Sequence, residues 1–306
     1  MGNRVVAEES AASTIASRQI SKLILGTVQL GMPYGINNTT GQPSEGQGLN
    51  ILAEAFEQGV RTADTADGYG TAAELLGAFH AKGRKFRVIT KFRIDERFAS
   101  LESGIKNSIR RLGLETIYCL MFHRFGDLLQ YPESLRELVA FKNRGLIDRI
   151  GVSVYTTDEF ARVLESNEID VIQFPFNLLD NFSQRGGLME RAKRAGKLLH
   201  TRSVFLQGLF FKHPDDIPDR LAPLKTYLQK IHSLAKESNV EIQDLALHYA
   251  LQQPMIDGVL FGVETLEQLN MNLDVARKDF DSTLLGQIDA IRVQETELLN
   301  PVNWKL

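Results

Sequence analysis

Gly59-Val60-Arg61-Thr62-Ala63-Asp64-Thr65-Ala66-Asp67-Gly68-Tyr69-Gly70 runs from a glycine through a short apolar stretch into two aspartates, two glycines and a tyrosine. The apolar part, residues 60–65, has the length and continuity of a strand buried on both faces. Glycines then mark a loop, and residues 72–82 resume with apolar side chains at helical spacing. The same unit recurs in both directions. Strands are predicted over 23–30, 60–65, 86–92, 117–123, 149–154, 171–174, 198–204 and 258–262. Helices are predicted over 44–58, 72–82, 101–112, 133–144, 157–166, 187–195, one long stretch 224–251, and 266–276. Residues 282–299 remain as an additional C-terminal helix. Strict alternation with right-handed crossovers favours a single (β/α)8 TIM barrel over residues 21–306.

The competing architecture is an open doubly wound sheet. Gly68-Tyr69-Gly70-Thr71-Ala72-Ala73 matches a G-x-G-x-x-A dinucleotide fingerprint between a strand and a helix. Asp64 and Asp67 precede those glycines, where a pyrophosphate would be repelled, and the next strand ends in Lys91 rather than an acid suited to a ribose. The match is therefore set aside.

Composition excludes several classes. The chain has 306 residues, 35 Lys plus Arg against 38 Asp plus Glu, and a formal net charge of −3. No basic field gathers nucleic acid or anionic lipid. Hydrophobic residues at 43% and charged residues at 24% describe an ordinary globular chain. Residues 1–20 read as a polar tail without a signal-peptide core, and no apolar run reaches the roughly 18 residues of a membrane span. The single cysteine, Cys119, excludes an internal disulfide framework and fits a reducing compartment, so the cytoplasm is the expected location. Its apolar surroundings make it a core residue. No histidine spacing suggests a metal site, and strands four and seven lack the carboxylate pair of a glycosidase.

In a barrel the chemistry lies at the C-terminal strand ends. Three successive strands end there in polar groups, Asp64, Lys91 and His123, and Tyr69 follows in the loop after the second. Together they suit proton donation to an oxygen that is becoming an alkoxide. A lysine ammonium should lower the phenol's pKa, an aspartate should keep that lysine charged, and a neutral histidine should orient a carbonyl. None of the four is a nucleophile, so a hydride from a nicotinamide cofactor is the simplest supply.

These residues, with Glu74-Leu75-Leu76-Gly77 and Ile89-Thr90-Lys91-Phe92, make residues 21–299 resemble the aldo-keto reductase superfamily. The resemblance implies a catalytic tetrad of Asp64, Tyr69, Lys91 and His123, with Tyr69 as general acid. It implies NADPH, with NADH as the alternative, lying across the barrel mouth. Ser153 and Gln173 match the residues that hold the nicotinamide carboxamide, although Val154 stands where relatives carry Asn. Ser203, Leu206 and Gly208 match the pyrophosphate segment, and Gly262, Gln268 and Asn272 the adenosine end. Relatives often place Arg or Lys there for a 2′-phosphate, where this chain has Glu264 and Gln268. Lys212 and Lys225 are the other candidates for that charge.

The implied activity is reduction of an aldehyde or ketone, with a sugar or sugar derivative as one substrate class. The alternative is a cofactor-binding regulatory or redox-sensing subunit with little turnover. Pocket walls are expected from Gln29 to Ile36 and from Arg124, Tyr155, Phe176 and Asn177.

Overall fold

The computed structural model describes residues 17–93 and 100–304. Eight parallel strands close into a barrel in sequence order: β1 (Leu23–Gly26), β2 (Thr62–Asp64), β3 (Arg87–Phe92), β4 (Ile117–Phe122), β5 (Ile147–Ser153), β6 (Val171–Pro175), β7 (Leu198–Arg202) and β8 (Gly258–Gly262). Closure comes from β1 pairing with β8, Gly26 opposite Gly262. Among the described residues the sheet has no open edge, which a doubly wound sheet would have. The helices of seven residues or more are α1 (Glu45–Glu57), α2 (Ala72–His80), α3 (Leu101–Leu112), α4 (Pro132–Asn143), α5 (Thr157–Val163), α6 (Phe182–Arg194), α7 (Lys225–Glu237), α8 (Ile242–Leu251), α9 (Leu266–Val275) and α10 (Thr283–Asp289). Ser44 and Thr156 begin α1 and α5 with capping boxes, and Pro132 starts α4 where its missing N–H costs nothing.

The large core lies between strands and helices, as in Leu52, Leu76, Val88, Leu120, Val152, Phe174 and Leu247. A smaller cluster, Ile24, Ile89, Cys119, Met121 and Val171, fills the barrel interior. Cys119 is buried there, and burial raises its thiol pKa.

Several boundaries differ from the sequence reading. The first strand stops at Gly26, because Thr27 donates its hydroxyl to the Asp64 carbonyl and Val28–Gly31 turn helically. The stretch 224–251 divides into α7 and α8, since Asn239 adopts a left-handed φ of 52° that ends the first helix. The C-terminal helix ends at Asp289, where Asn181 Nδ2 donates to the carbonyls of Ile288 and Ile291. Among the described residues only 3-10 turns, Thr296–Leu299 and Pro301–Asn303, follow. Residues 1–16 of the expected tail lie outside the described residues, but 17–22 are helical, with Gln19 and Ile20 buried. Among the described residues no helix is long and apolar enough to cross a membrane.

Candidate active site

Side chains alternate along a strand, so those two residues beyond the interior cluster form the next layer toward the barrel mouth. That layer contains Gly26, Asp64, Lys91, Ser153, Gln173, Arg202 and Gly262, and it floors a cleft of about 610 Å³, in the range of small-molecule and cofactor sites. Tyr69 hangs over this floor because two glycine positions let the loops after β1 and β2 touch. A Cβ on Gly31 would lie 2.0 Å from the Tyr69 carbonyl oxygen, and one on Gly70 would lie 2.1 Å from the Gly31 oxygen. Gly70 also has a φ of +54°. Hydrogen bonds from Tyr69 N to Ala66 O, 3.0 Å, and from Thr71 N to Gly31 O, 3.2 Å, complete the turn.

The four expected residues converge. Lys91 Nζ donates to Asp64 Oδ1, and Gln173 Nε2 donates to Asp64 Oδ2 at 2.9 Å. Lys91 and Asp64 are 3% and 1% exposed. The lysine nitrogen lies 5.5 Å from the Tyr69 ring centroid, and the Tyr69 and His123 rings meet edge to face at 6.0 Å. His123 is set by its backbone N–H, which donates to Phe92 O at 3.0 Å.

Electrostatics sort their roles. The pKa of His123 is pushed down to about 3, first by burial and then by the charges of Lys91, Arg93, Arg124 and Arg202, so its imidazole is neutral. Tyr69 departs from expectation. Its pKa is raised, by burial first and by the Asp64 charge second, and the leading group that lowers it is Arg202. Lys91 is hydrogen-bonded to Asp64, whose charge offsets its own at the phenol.

A consequence for stability follows. His123 and the fully buried His200, which burial holds at about 4, stay neutral where unfolded histidines protonate near 6.5. Below that value the unfolded chain binds more protons, so stability falls as pH drops toward the folded values and is independent of these groups above it. A His123→Asn variant should lose less stability than the parent between pH 7 and about pH 4, as measured by urea denaturation.

A family model for the Aldo/keto reductase family matches residues 22–293. The chain belongs to the aldo/keto reductase family. It is 27% identical over 285 residues to a D-arabinose 1-dehydrogenase of Saccharomyces cerevisiae, covering 83% of this chain and 82% of that one. It is 23% identical over 284 residues to an NADH-specific methylglyoxal reductase of Escherichia coli, covering 78% and 86%. In fold it is similar to the holo form of an aldo-keto reductase from Bacillus halodurans, with a TM-score of 0.72, 19% identity and coverage of 90% and 94%. This aldo-keto reductase is an oxidoreductase acting on carbonyl compounds.

In the aldo-keto reductase cleft, Ser153, Gln173, Ser203, Gly208, Gly262, Gln268 and Asn272 all line the walls. Leu206 does not. Its side chain is buried in the core and its N–H donates to Ser203 O at 2.9 Å. The expected pocket wall is also corrected. Phe176 is buried in a stack on Tyr249, Asn177 uses its side chain to cap the loop after β6, and Arg124 is outside the cleft, whereas Gln29, Tyr34, Gly35 and Tyr155 line it. Neither Lys212 nor Lys225 reaches the cleft, and Lys225 Nζ donates to Asp215 at 2.5 Å. Sequence reading missed Arg93, Arg202, Asn37, Gln207 and Gln243. Arg202 was discoverable, since Leu198, His200 and Arg202 share one face of β7.

Proposed function

We propose that the chain reduces an aldehyde or ketone with a nicotinamide cofactor, Tyr69 being the general acid. The convergence of Tyr69, His123 and the buried Lys91–Asp64 pair at one end of a long cleft carries this reading. The other end fits an extended dinucleotide. Gln29 Oε1 is buried there with no hydrogen-bond partner among the described residues, an acceptor suited to a hydroxyl or amide donor. Ser153 and Gln173 would hold the carboxamide, Ser203 and Gly208 the pyrophosphate, and Gln268 and Asn272 the adenosine. When bound, the reduced nicotinamide supplies the hydride that adds to the carbonyl carbon.

The chain's own residues do the rest. Neutral His123 donates a hydrogen bond that orients the carbonyl oxygen. Tyr69 transfers its phenolic proton to that oxygen as charge develops on it. Lys91 Nζ, held by Asp64, stands 5.5 Å from the phenol ring centroid, and Arg202 is the leading group whose field favours loss of the phenolic proton. Asp64 is fixed in turn by Gln173. A sugar or sugar derivative suits the hydrogen-bonding wall of Tyr34, Asn37, Tyr155 and Gln207. Fluorescence titration with NADPH and NADH, followed by turnover on a panel of carbonyls, tests the assignment. Binding without turnover would favour a regulatory subunit. The cytoplasm, a small carbonyl substrate and the absence of a nucleic-acid partner accompany this reading.

Cofactor preference follows from the cleft's charges. Its cationic lining residues, Lys91, Arg93 and Arg202, all act on His123 at the tetrad end. At the far end Gln268 accepts from Glu264 N and donates to Glu264 Oε2, both at 2.8 Å, which fixes a carboxylate where a 2′-phosphate would need a cation. Discrimination between NADPH and NADH should therefore stay within about a hundredfold, roughly 2.7 kcal/mol. The ratio of the two dissociation constants measures it, and Gln268→Arg should raise NADPH affinity. A parent that already prefers NADPH more than about a thousandfold, with no gain in the variant, contradicts this account.

A further inference from the structure

Tyr69 stands midway along the loop that joins β2 to α2, residues 65–71. Among the described residues no protein group hydrogen-bonds its hydroxyl, and its ring meets Lys91 Nζ at 5.5 Å and the His123 ring at 6.0 Å. The place of the phenol over those two residues is therefore set by the loop that carries it. That loop is tied down on both sides of Tyr69. Two residues after it, Thr71 Oγ1 accepts from Gln42 Nε2 at 2.9 Å, and the same amide donates to Leu30 O at 3.1 Å. Two residues before it, Asp67 Oδ1 accepts the hydroxyl of Ser108 on α3 at 3.0 Å and faces Arg111 Nη1 at 3.7 Å.

The platform that Asp67 grips is firm. Ser108 is buried, and Arg111 Nε and Nη2 donate to the two oxygens of Glu74, on the first turn of α2, at 2.7 and 3.1 Å. A Cβ on Gly77 would lie 2.1 Å from Arg111 O, so α2 and α3 touch backbone to backbone. The Asp67 N–H donates to Lys91 O at 3.1 Å, which joins the same residue to the strand that carries the lysine. Charge is not how Asp67 reaches the phenol, since the charges acting most on Tyr69 are those of Asp64, Arg202 and Arg93. We propose that Asp67 is a positioning residue, which by accepting the Ser108 hydroxyl anchors the Tyr69 loop to α3 and holds the phenol in reach of the carbonyl oxygen. This rests on the reductase reading and adds to the four converging residues one that touches no reacting atom. Half of the tether lies in a helix that contributes nothing else to the cleft lining among the described residues.

The test is the single-turnover rate of the cofactor-loaded enzyme on glyceraldehyde, or on butanal where that is faster, followed by loss of reduced-nicotinamide absorbance. The Asp67 side chain is 41% exposed, so replacing it should leave the fold near the parent's. A misplacement of about 1 Å at the reacting atoms can cost about a hundredfold in rate. Asp67→Ala should therefore slow the turnover about ten- to a hundredfold, with KM and the NADPH and NADH dissociation constants within about twofold of the parent's. Asp67→Asn keeps an oxygen for the Ser108 hydroxyl and should restore most of the rate. Ser108→Ala cuts the same tether from the helix side, so it should match Asp67→Ala, and the double variant should lose no more than either. Should Asp67→Ala fail to fold, Ser108→Ala and Asp67→Asn decide between them. A rate near the parent's in both tether variants, losses that add in the double variant, an Asp67→Asn slowed as much as Ser108→Ala, or a loss that follows cofactor affinity each overturns the inference. A parent that binds neither cofactor and reduces no aldehyde would instead sink the reductase reading beneath it.

Discussion

Replacing Tyr69 with Phe should lower turnover by about 10²- to 10⁴-fold, the usual worth of a positioned general acid, while leaving nicotinamide cofactor affinity near the parent's. The substitution removes one hydroxyl. The ring stays against His123, and the loop geometry set by Gly31 and Gly70 does not involve the phenol oxygen. Burial and the Asp64 charge both raise the Tyr69 pKa, so the acid form prevails throughout the neutral range and its supply is not limiting. Its proton is released only when a more basic oxygen forms beside it. Water-excluded donors gain most at that moment, since the developing alkoxide has no solvent to stabilise it. Stopped-flow reduction with saturating cofactor measures the loss, and fluorescence titration checks the affinity. Turnover near that of the parent would transfer the acid role to His123, the other donor at this end of the cleft.

How much of this was legible in the sequence depends on the range of the interactions that set it. Strands were readable because double-sided burial demands short apolar runs, as in Ile117–Phe122 and Val171–Pro175. Their ends were not. Val28, Leu30 and Val204 are apolar but lie in turns after β1 and β7, so composition carried both strands too far. That error hid Arg202, which looks internal in a run reaching residue 204 and terminal in one ending at 202. The four residues that converge could be singled out because Asp64 and Lys91 sit at the ends of short buried strands, His123 directly follows one and Tyr69 stands in the next loop. Phe176 and Asn177 were misplaced for the opposite reason, since the chain turns inward after Pro175 and buries both.

Contacts distant in sequence were beyond local reading. Asn37 Nδ2 donates to Gly208 O at 2.7 Å and Gln207 Nε2 to the Tyr34 hydroxyl at 3.0 Å, joining segments more than 170 residues apart over the cleft. The Gln173 contact with Asp64 spans 109 positions. Gln173 was expected to face a cofactor amide, but one of its amide hydrogens already serves the aspartate. Its carbonyl oxygen and second amide hydrogen are left for a ligand, so in the proposed reading the residue bridges the cofactor and the Asp64 carboxylate.

Removing the charge of Lys91 should cost both activity and fold. Lys91→Met leaves Asp64, 1% exposed, with only the Gln173 amide among the described residues as a side-chain donor to its carboxylate, and breaking a buried ion pair on one side typically costs about 3–5 kcal/mol. A variant combining Lys91→Met with Asp64→Asn buries no charge there and retains an oxygen for Gln173 Nε2. It should recover most of the stability lost by the single substitution and none of the activity, because the lysine that stands against the Tyr69 ring is gone. Urea denaturation of the parent, both single variants and the double variant gives the coupling energy. A coupling below about 0.5 kcal/mol would mean that the barrel tolerates either charge alone. In that case the pair could not be what holds the ammonium in place beside the phenol.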